Sequence, residues 1–402
     1  LRRSPLLPIF LIVLVDLLGF TIVLPLLPFY SEQLGASPFV FGLIVSSYAA
    51  CQLVAGPILG RLSDRFGRKP LLAISQVGTL IGLLILATAN VLWLVFLARI
   101  IDGLTAGNLS LAQAYISDVT KPEERTKSFA VIGIAFGIGF AAGPGLAWLF
   151  YPYGPRAPIF AAAGLSLLSI LCTLFLLPRN PPRPEGMEND TDPPAARLSI
   201  FSPGAYLQYF HRPELSGLLW QFAFFTFAFS TFVSGFALFT QVRVHYGAKE
   251  VSQIFAYIGV LGIVVQGGLV GRAVKRFGES GLVRFGFAAA LVAAIALGFS
   301  YKPSPIWLMA GLFTLGTGVL RPALTSIISQ VSSRREQGTV LGITQSLQSI
   351  TQIVAPPLGT ALIGWGMPVG WALIAALAAL LGLLIPIRNA SVAQANRSGM
   401  LN

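Results

Sequence analysis

Charge is what this 402-residue chain has least of: 10% of its residues are Asp, Glu, Lys or Arg and 55% are hydrophobic, whereas a soluble domain carries about 25% charged residues. That deficit argues against a water-soluble enzyme. A net charge of +12 would point to nucleic acid on an ordinary surface, but so apolar a chain cannot keep such a surface in water, and no nucleic-acid partner is expected. Cysteine is nearly absent. Cys51 and Cys172 lie far apart in apolar runs, so neither a disulfide framework nor a metal cluster is available. His211 and His245 fit no zinc spacing, and no Walker-type phosphate loop occurs, which leaves no metal, no cofactor and no ATP as the direct energy source. The first apolar stretch lacks a small-residue cleavage site and reads as a retained span.

What is there is a succession of apolar runs. A bilayer core of about 30 Å needs about 20 apolar residues per helix, and such runs recur at 6–30, 39–60, 71–89, 93–116, 127–150, 157–177, 214–241, 251–272, 281–300, 305–329, 338–363 and 368–387. The expected fold is an all-α membrane protein, with twelve transmembrane helices in two pseudo-symmetric six-helix bundles, 1–177 and 214–402. The segment 178–213 between them is rich in proline and acidic residues at first and cannot bury a core; its second half, with Phe201, Tyr206, Leu207, Tyr209 and Phe210, suits a short interfacial helix. With the N-terminus inside, 21 Lys and Arg residues fall in the inner loops and termini and four in the outer loops, which places both termini and the linker in the cytoplasm.

A repeat is visible within the chain. GRLSDRFG at Gly60–Gly67 returns as GRAVKRFG at Gly271–Gly278, an offset of 211, and Pro144 and Pro356 stand 212 apart, each 20 residues after a loop glutamate, Glu124 or Glu336. Two halves of one design follow, as in transporters built from parallel repeats.

GRLSDRFGRKP, with Gly60, Asp64, Arg65, Gly67 and Arg68, resembles the signature loop between the second and third spans of the major facilitator superfamily. Within that superfamily, VDLLGFTIVLPLLP in the first span, ARIIDGLTAG in the fourth and GIGFAAGPG in the fifth resemble the twelve-span drug:proton antiporters, including the tetracycline efflux pumps. The resemblance implies a proton-coupled efflux antiporter for hydrophobic or amphiphilic compounds, working as a monomer by alternating access in a bacterial inner membrane. It implies that Asp64 latches the halves together in one state, and that Gly139, Gly143 and Pro144 form the antiporter motif. Ala147 and Trp148 replace that motif's later glycine pair, and the third span lacks the acid of the tetracycline pumps, which argues against tetracycline itself. A metabolite facilitator or symporter, a lipid-moving relative, and a passive channel or sensor are the alternatives.

The residues carry their own reading. Intramembrane charges are costly and mark pathways or relays. Asp16, near the middle of the first span, is the leading proton-coupling carboxylate. Arg99 and Asp102 lie one turn apart on the fourth span, so they form either a structural ion pair or part of the relay. Asp118 reads as a loop residue with a structural task. Lys275 stands where the first copy of the repeat has Asp64, so the latch should be asymmetric. The glycines of the fifth span suit close packing against a second-half helix as well as gating. Arg321 either snorkels to the headgroups, the reading set first, or attracts an anionic group. Gln345, Gln348, Ser349 and Gln352 recur at helical spacing, a face for a polar cavity. Trp220 and eight phenylalanines from Phe222 to Phe239 crowd the seventh span; much of that should face lipid, with Trp220, Phe224 and Phe227 lining a site for a small amphiphilic substrate.

Overall fold

Inside a hydrocarbon layer only helices or closed barrels satisfy every backbone donor and acceptor, and the apolar stretches here wind into helices. The computed structural model describes residues 6–120, 125–178, 208–332 and 336–386. The first span is α1 (Leu6–Val23) and α2 (Leu27–Gln33), bent by 45° around Pro25. α3 (Pro38–Phe66) and α4 (Arg68–Thr88) follow; the fourth span is broken into α5 (Leu92–Leu104) and α6 (Asn108–Val119), and α7 (Arg125–Phe150) and α8 (Ala157–Leu176) are continuous. Beyond the linker come α9 (Pro213–Val244), α10 (Ala248–Val264), a π-helical turn at Val265–Leu269, α11 (Val270–Gly298), α12 (Pro303–Val331), α13 (Gln337–Gly364) and α14 (Pro368–Leu384).

Seven described helices are long and apolar enough to cross a membrane, or eight with the bent pair. One of them, Ala248–Gly298, runs for 51 residues; at about 1.5 Å per residue it would be about 77 Å long, far more than one crossing requires. It divides at Gly278, whose φ of 69° and ψ of 166° are non-helical, so the eighth and ninth spans part there. Gly67, the matching residue of the first repeat, has φ 92° and ψ 156° and separates α3 from α4. Both glycines occupy the positive-φ region that side chains avoid, and the internal repeat is therefore a repeat of backbone conformation as well as of sequence. All twelve apolar stretches fall on helices, and the protein is an all-α membrane protein.

The chain divides into two compact units, Leu1–Asp190 with Thr240–Ile263, and Thr191–Phe239 with Val264–Asn402. In the first, Ile9, Ile12 and Val13 of α1 are buried among Leu59 of α3, Leu72 of α4, and Leu111, Tyr115 and Ile116 of α6. In the second, α9 is the buried helix. Phe232 stacks on Phe313 with ring centroids 4.3 Å apart, Phe239 stacks on Trp371 at 4.7 Å, and the Trp371 Nε1–H donates to the Thr231 carbonyl at 2.9 Å. Phe222, Phe225, Phe232, Phe236 and Phe239 are all buried, which overturns the expectation that the seventh-span phenylalanines largely face lipid. A helix apolar on every side belongs in a core as readily as in lipid. Phe201, Tyr206 and Leu207 of the expected interfacial helix lie outside the described residues, but Phe210 packs edge-on against Trp220, which in turn stacks on Phe224.

Candidate functional site

The intramembrane acids of the first unit sit in a buried polar cluster. Arg99 and Asp102 of α5 form an ion pair at 3.0 Å, with 6% and 9% of their side chains exposed. That pairing settles which carboxylate Arg99 serves: Asp102, its neighbour one turn on. The Arg99 guanidinium also lies 5.7 Å from the centre of the Tyr48 ring. Glycines make this density possible. A Cβ on Gly103 would stand 2.6 Å from the Tyr48 carbonyl of α3, and one on Gly82 would stand 2.9 Å from the Ala98 carbonyl and 3.2 Å from the Asp102 Cβ.

Asp16 is treated differently. Both carboxylate oxygens are buried and neither makes a hydrogen bond. Gln76 of α4, Ser169 of α8 and Asn108 at the start of α6 surround it, and the charge of Asp102 acts on it. Gln76 Nε2 donates to Ser169 Oγ at 2.7 Å, but Gln76 Oε1 and Asn108 Oδ1 are buried acceptors that receive no hydrogen bond. A carboxyl thus lies buried among neutral polar side chains, with no cation beside it among the described residues, an arrangement costly for a fixed charge and suited to a group that gains and loses a proton. The break in the fourth span puts Asn108 there. The Ser75 hydroxyl bonds the Thr105 carbonyl and accepts from the Gly107 N–H at 3.0 Å, so the interrupted backbone is satisfied within the bundle.

The residues of the antiporter-like motif pack directly against the helix that carries Asp16. A Cβ on Gly139 would meet Leu17, and one on Gly143 would collide with the Thr21 hydroxyl. That hydroxyl lies 2.7 Å from the Leu17 carbonyl and 2.8 Å from the Gly139 carbonyl, joining α1 to α7 one turn beyond Asp16. Pro144 is buried within α7. Elsewhere α7 touches α10, where Gly259 abuts the Phe140 carbonyl and the Ala141 backbone, and Gly137 approaches Ile263. The packing expected for the fifth-span glycines is present. Since backbone cannot swing aside as a side chain does, Gly259→Ala should destabilise the protein by about 1–3 kcal/mol. Gly262→Ala on the same helix, with nothing within 4 Å of its Cβ, should stay within about 0.5 kcal/mol of the parent. Thermal unfolding in detergent compares the two; equal effects would contradict the backbone contact.

The signature loop forms its own network. Arg68 Nη1 pairs with Asp64 at 2.6 Å and Arg68 Nε with Asp118 of α6 at 2.9 Å. Lys69 Nζ donates to the Leu174 and Leu177 carbonyls at 2.7 and 2.6 Å, capping α8. Arg65 lies 5.4 Å from the Phe66 ring centre, and Gly60 is half-buried near the end of α3.

In the second unit Arg321 Nη2 donates to Gln348 Oε1 at 3.0 Å. Arg321 lies ten residues before the end of α12 and Gln348 eleven after the start of α13. Arg321 is exposed and makes a polar contact between α12 and α13. Gln345 is exposed, while Gln352, Phe224 and Phe227 are half-buried. A cavity of about 320 Å³ in this unit is lined by Arg212, Pro213, Glu214, Leu215, Val331 and Glu336, none of them a residue singled out for the substrate. Gln76, Ser169, Asn108 and Tyr48 were missed by the sequence reading, which followed charges and passed over neutral polar residues inside apolar spans.

The family model for the Major Facilitator Superfamily matches residues 9–356. Tetracycline resistance protein, class B, of Escherichia coli is 29% identical over 380 residues, 91% of both chains, and the class D protein of Salmonella ordonez is 31% identical over 359 residues, 86% of both. Multidrug resistance protein 2 of Bacillus subtilis is 25% identical over 353 residues, 86% of both. Among solved structures, a bacterial homologue of the human lysosomal transporter Spinster, inward-facing and unoccupied, shares the fold with a TM-score of 0.77 at 15% identity, over 96% of each chain. With the repeated signature turn, the all-helical spans and a family match across most of its length, the chain belongs to the major facilitator superfamily.

Proposed function

We propose that the protein is a proton-coupled antiporter that exports hydrophobic or amphiphilic compounds from the cytoplasm by alternating access, working as a monomer with both termini inside. The observation that carries this is the buried Asp16 carboxyl, which lies among the neutral side chains of Gln76, Ser169 and Asn108 with no cation beside it among the described residues. Protonated, Asp16 is a neutral group among neutral polar partners; deprotonated, it is an uncompensated charge that favours opening to water or to a cationic group. Proton and substrate are then alternative ways of neutralising one site, and their exclusion couples the fluxes. Relatives named for tetracycline and for multidrug resistance support efflux, and the absence of an acid in α4 favours amphiphiles over tetracycline. Ethidium, an aromatic cation, is a suitable probe. In inverted membrane vesicles an inward-acid gradient should drive its accumulation and a protonophore should collapse it; accumulation indifferent to the protonophore would overturn proton coupling.

A further inference from the structure

The turn that opens α4 and its copy inside α11 are each followed by a residue that ties the turn to a helix two spans away. After Gly67 comes Arg68, which donates to Asp118 near the end of α6. After Gly278 comes Glu279, at the offset of 211 that relates the two signature turns. Its Oε1 accepts from the Ser326 hydroxyl of α12, and Gln330 Nε2 lies 3.0 and 3.1 Å from its two carboxylate oxygens. Gln330 stands 212 residues after Asp118, the offset that relates Pro144 to Pro356. The two contacts thus join equivalent positions of the repeat with the chemistry reversed. In the first unit the turn supplies the cation and the distant helix the carboxylate; in the second the turn supplies the carboxylate and the helix the amide and hydroxyl donors. Ser63 accepts from Arg68 Nη1 and Ser326 donates to Glu279, so a serine completes each contact in the role its partner demands.

We infer that Glu279 with Gln330 and Ser326 is the second unit's clamp, the donor–acceptor-reversed counterpart of Arg68 with Asp118, and that it holds the repeated turn to the end of α12 during transport. Glu279 is a positioning residue in this account, which rests on the transport cycle proposed above. Its surroundings show why an acid is used. Arg272, Lys275, Arg276 and Arg284 are the other charged residues from 270 to 285, so a second arginine at this turn would repel its neighbours and would face donors in place of acceptors. The same polarity change made on both sides should be tolerated, because it recreates the pairing that the first unit already uses.

Reversal of polarity and its rescue is the test. Purified Glu279→Arg, Gln330→Asp, the double variant and Glu279→Gln are compared for ethidium efflux from proteoliposomes, for ethidium binding, and for hydrogen–deuterium exchange over residues 320–332. Glu279→Arg should lower the maximal efflux rate about fivefold or more, with ethidium affinity unchanged and exchange accelerated; the double variant should recover to within about twofold of the parent, as expected of directly coupled sites. Glu279→Gln, which keeps an acceptor oxygen, should retain about half the rate or more. Parent-like efflux and exchange in Glu279→Arg, or a double variant no better than the single one, overturns the clamp. If Glu279→Arg fails to fold, recovery of folded protein in the double variant supports the clamp and failure of both overturns it. If the parent chain moves no ethidium, the efflux reading fails, and exchange then decides the clamp by itself: acceleration in the single variant with reversal in the double supports it, and no change refutes it.

Discussion

Asp16→Asn is expected to abolish ethidium accumulation driven by a pH gradient and to weaken ethidium binding, since the neutral side chain stands for the protonated form that excludes the cation, while downhill exchange at saturating ethidium persists. The asparagine side chain has nearly the same volume and keeps a carbonyl oxygen among the same polar neighbours, Gln76, Ser169 and Asn108. The packing around α1, α4, α6 and α8 is therefore expected to survive, with unfolding changed by about 1 kcal/mol or less. What disappears is titration. A transporter fixed in the neutral form at this position still changes conformation with substrate bound, but no proton movement is tied to it, so uphill transport should fall by about 100-fold, while downhill exchange changes by less than about threefold. Asp102→Asn is the control: it strands the buried Arg99 guanidinium without its carboxylate, and a loss of about 3–5 kcal/mol of stability follows from breaking a buried pair. Coupling lost with the fold intact at Asp16, and the fold lost at Asp102, would separate a relay carboxylate from a structural one. Gradient-driven rates near the parent value in Asp16→Asn would end the relay role.

The second large effect is expected at the signature loop. Asp64 is 40% exposed and pairs with Arg68 within its own unit, and a pair so exposed contributes about 1 kcal/mol or less to folding. Asp64→Asn should therefore leave unfolding nearly unchanged, yet slow transport about tenfold or more if the carboxylate makes a contact in one state of the cycle that it lacks in the other, since each 1.4 kcal/mol of difference between states is about a factor of ten. Lys275, its counterpart, is exposed and makes no ion pair among the described residues; Lys275→Ala should stay within about twofold. Matched proteoliposome rates compare them, and equal losses would remove the asymmetry.

How far these features were legible in the sequence differs by kind. Spans were readable because a long apolar run has few alternatives, and Gly67 and Gly278 because a tight reversal in a basic loop needs a residue without a side chain. Asp16, Arg99 and Asp102 stood out as charges in apolar helices, and the turn between Arg99 and Asp102 offered their pairing without deciding it. Gln76, Ser169 and Asn108 did not stand out. Their meaning depends on three different helices converging on α1, and nothing local specifies that convergence. The buried face of α9 was misread for a related reason: phenylalanines on every side of a helix give no periodicity from which to choose lipid or core. Glu279 and Gln330 are 51 positions apart, so their contact became visible only once the turn at Gly278 and the end of α12 were placed together.

The central claim is that proton and substrate exclude each other at Asp16, and proton release on binding measures that exclusion most directly. Purified protein in weakly buffered detergent, poised where part of the Asp16 population is protonated, is mixed with ethidium while a pH-indicator dye records free protons. The parent chain should release protons in proportion to ethidium bound, to a limit below about one per site, and Asp16→Asn, which binds more weakly and is brought to the same occupancy with more ethidium, should release none. Binding without release in the parent chain, or equal release from the variant, would contradict the account.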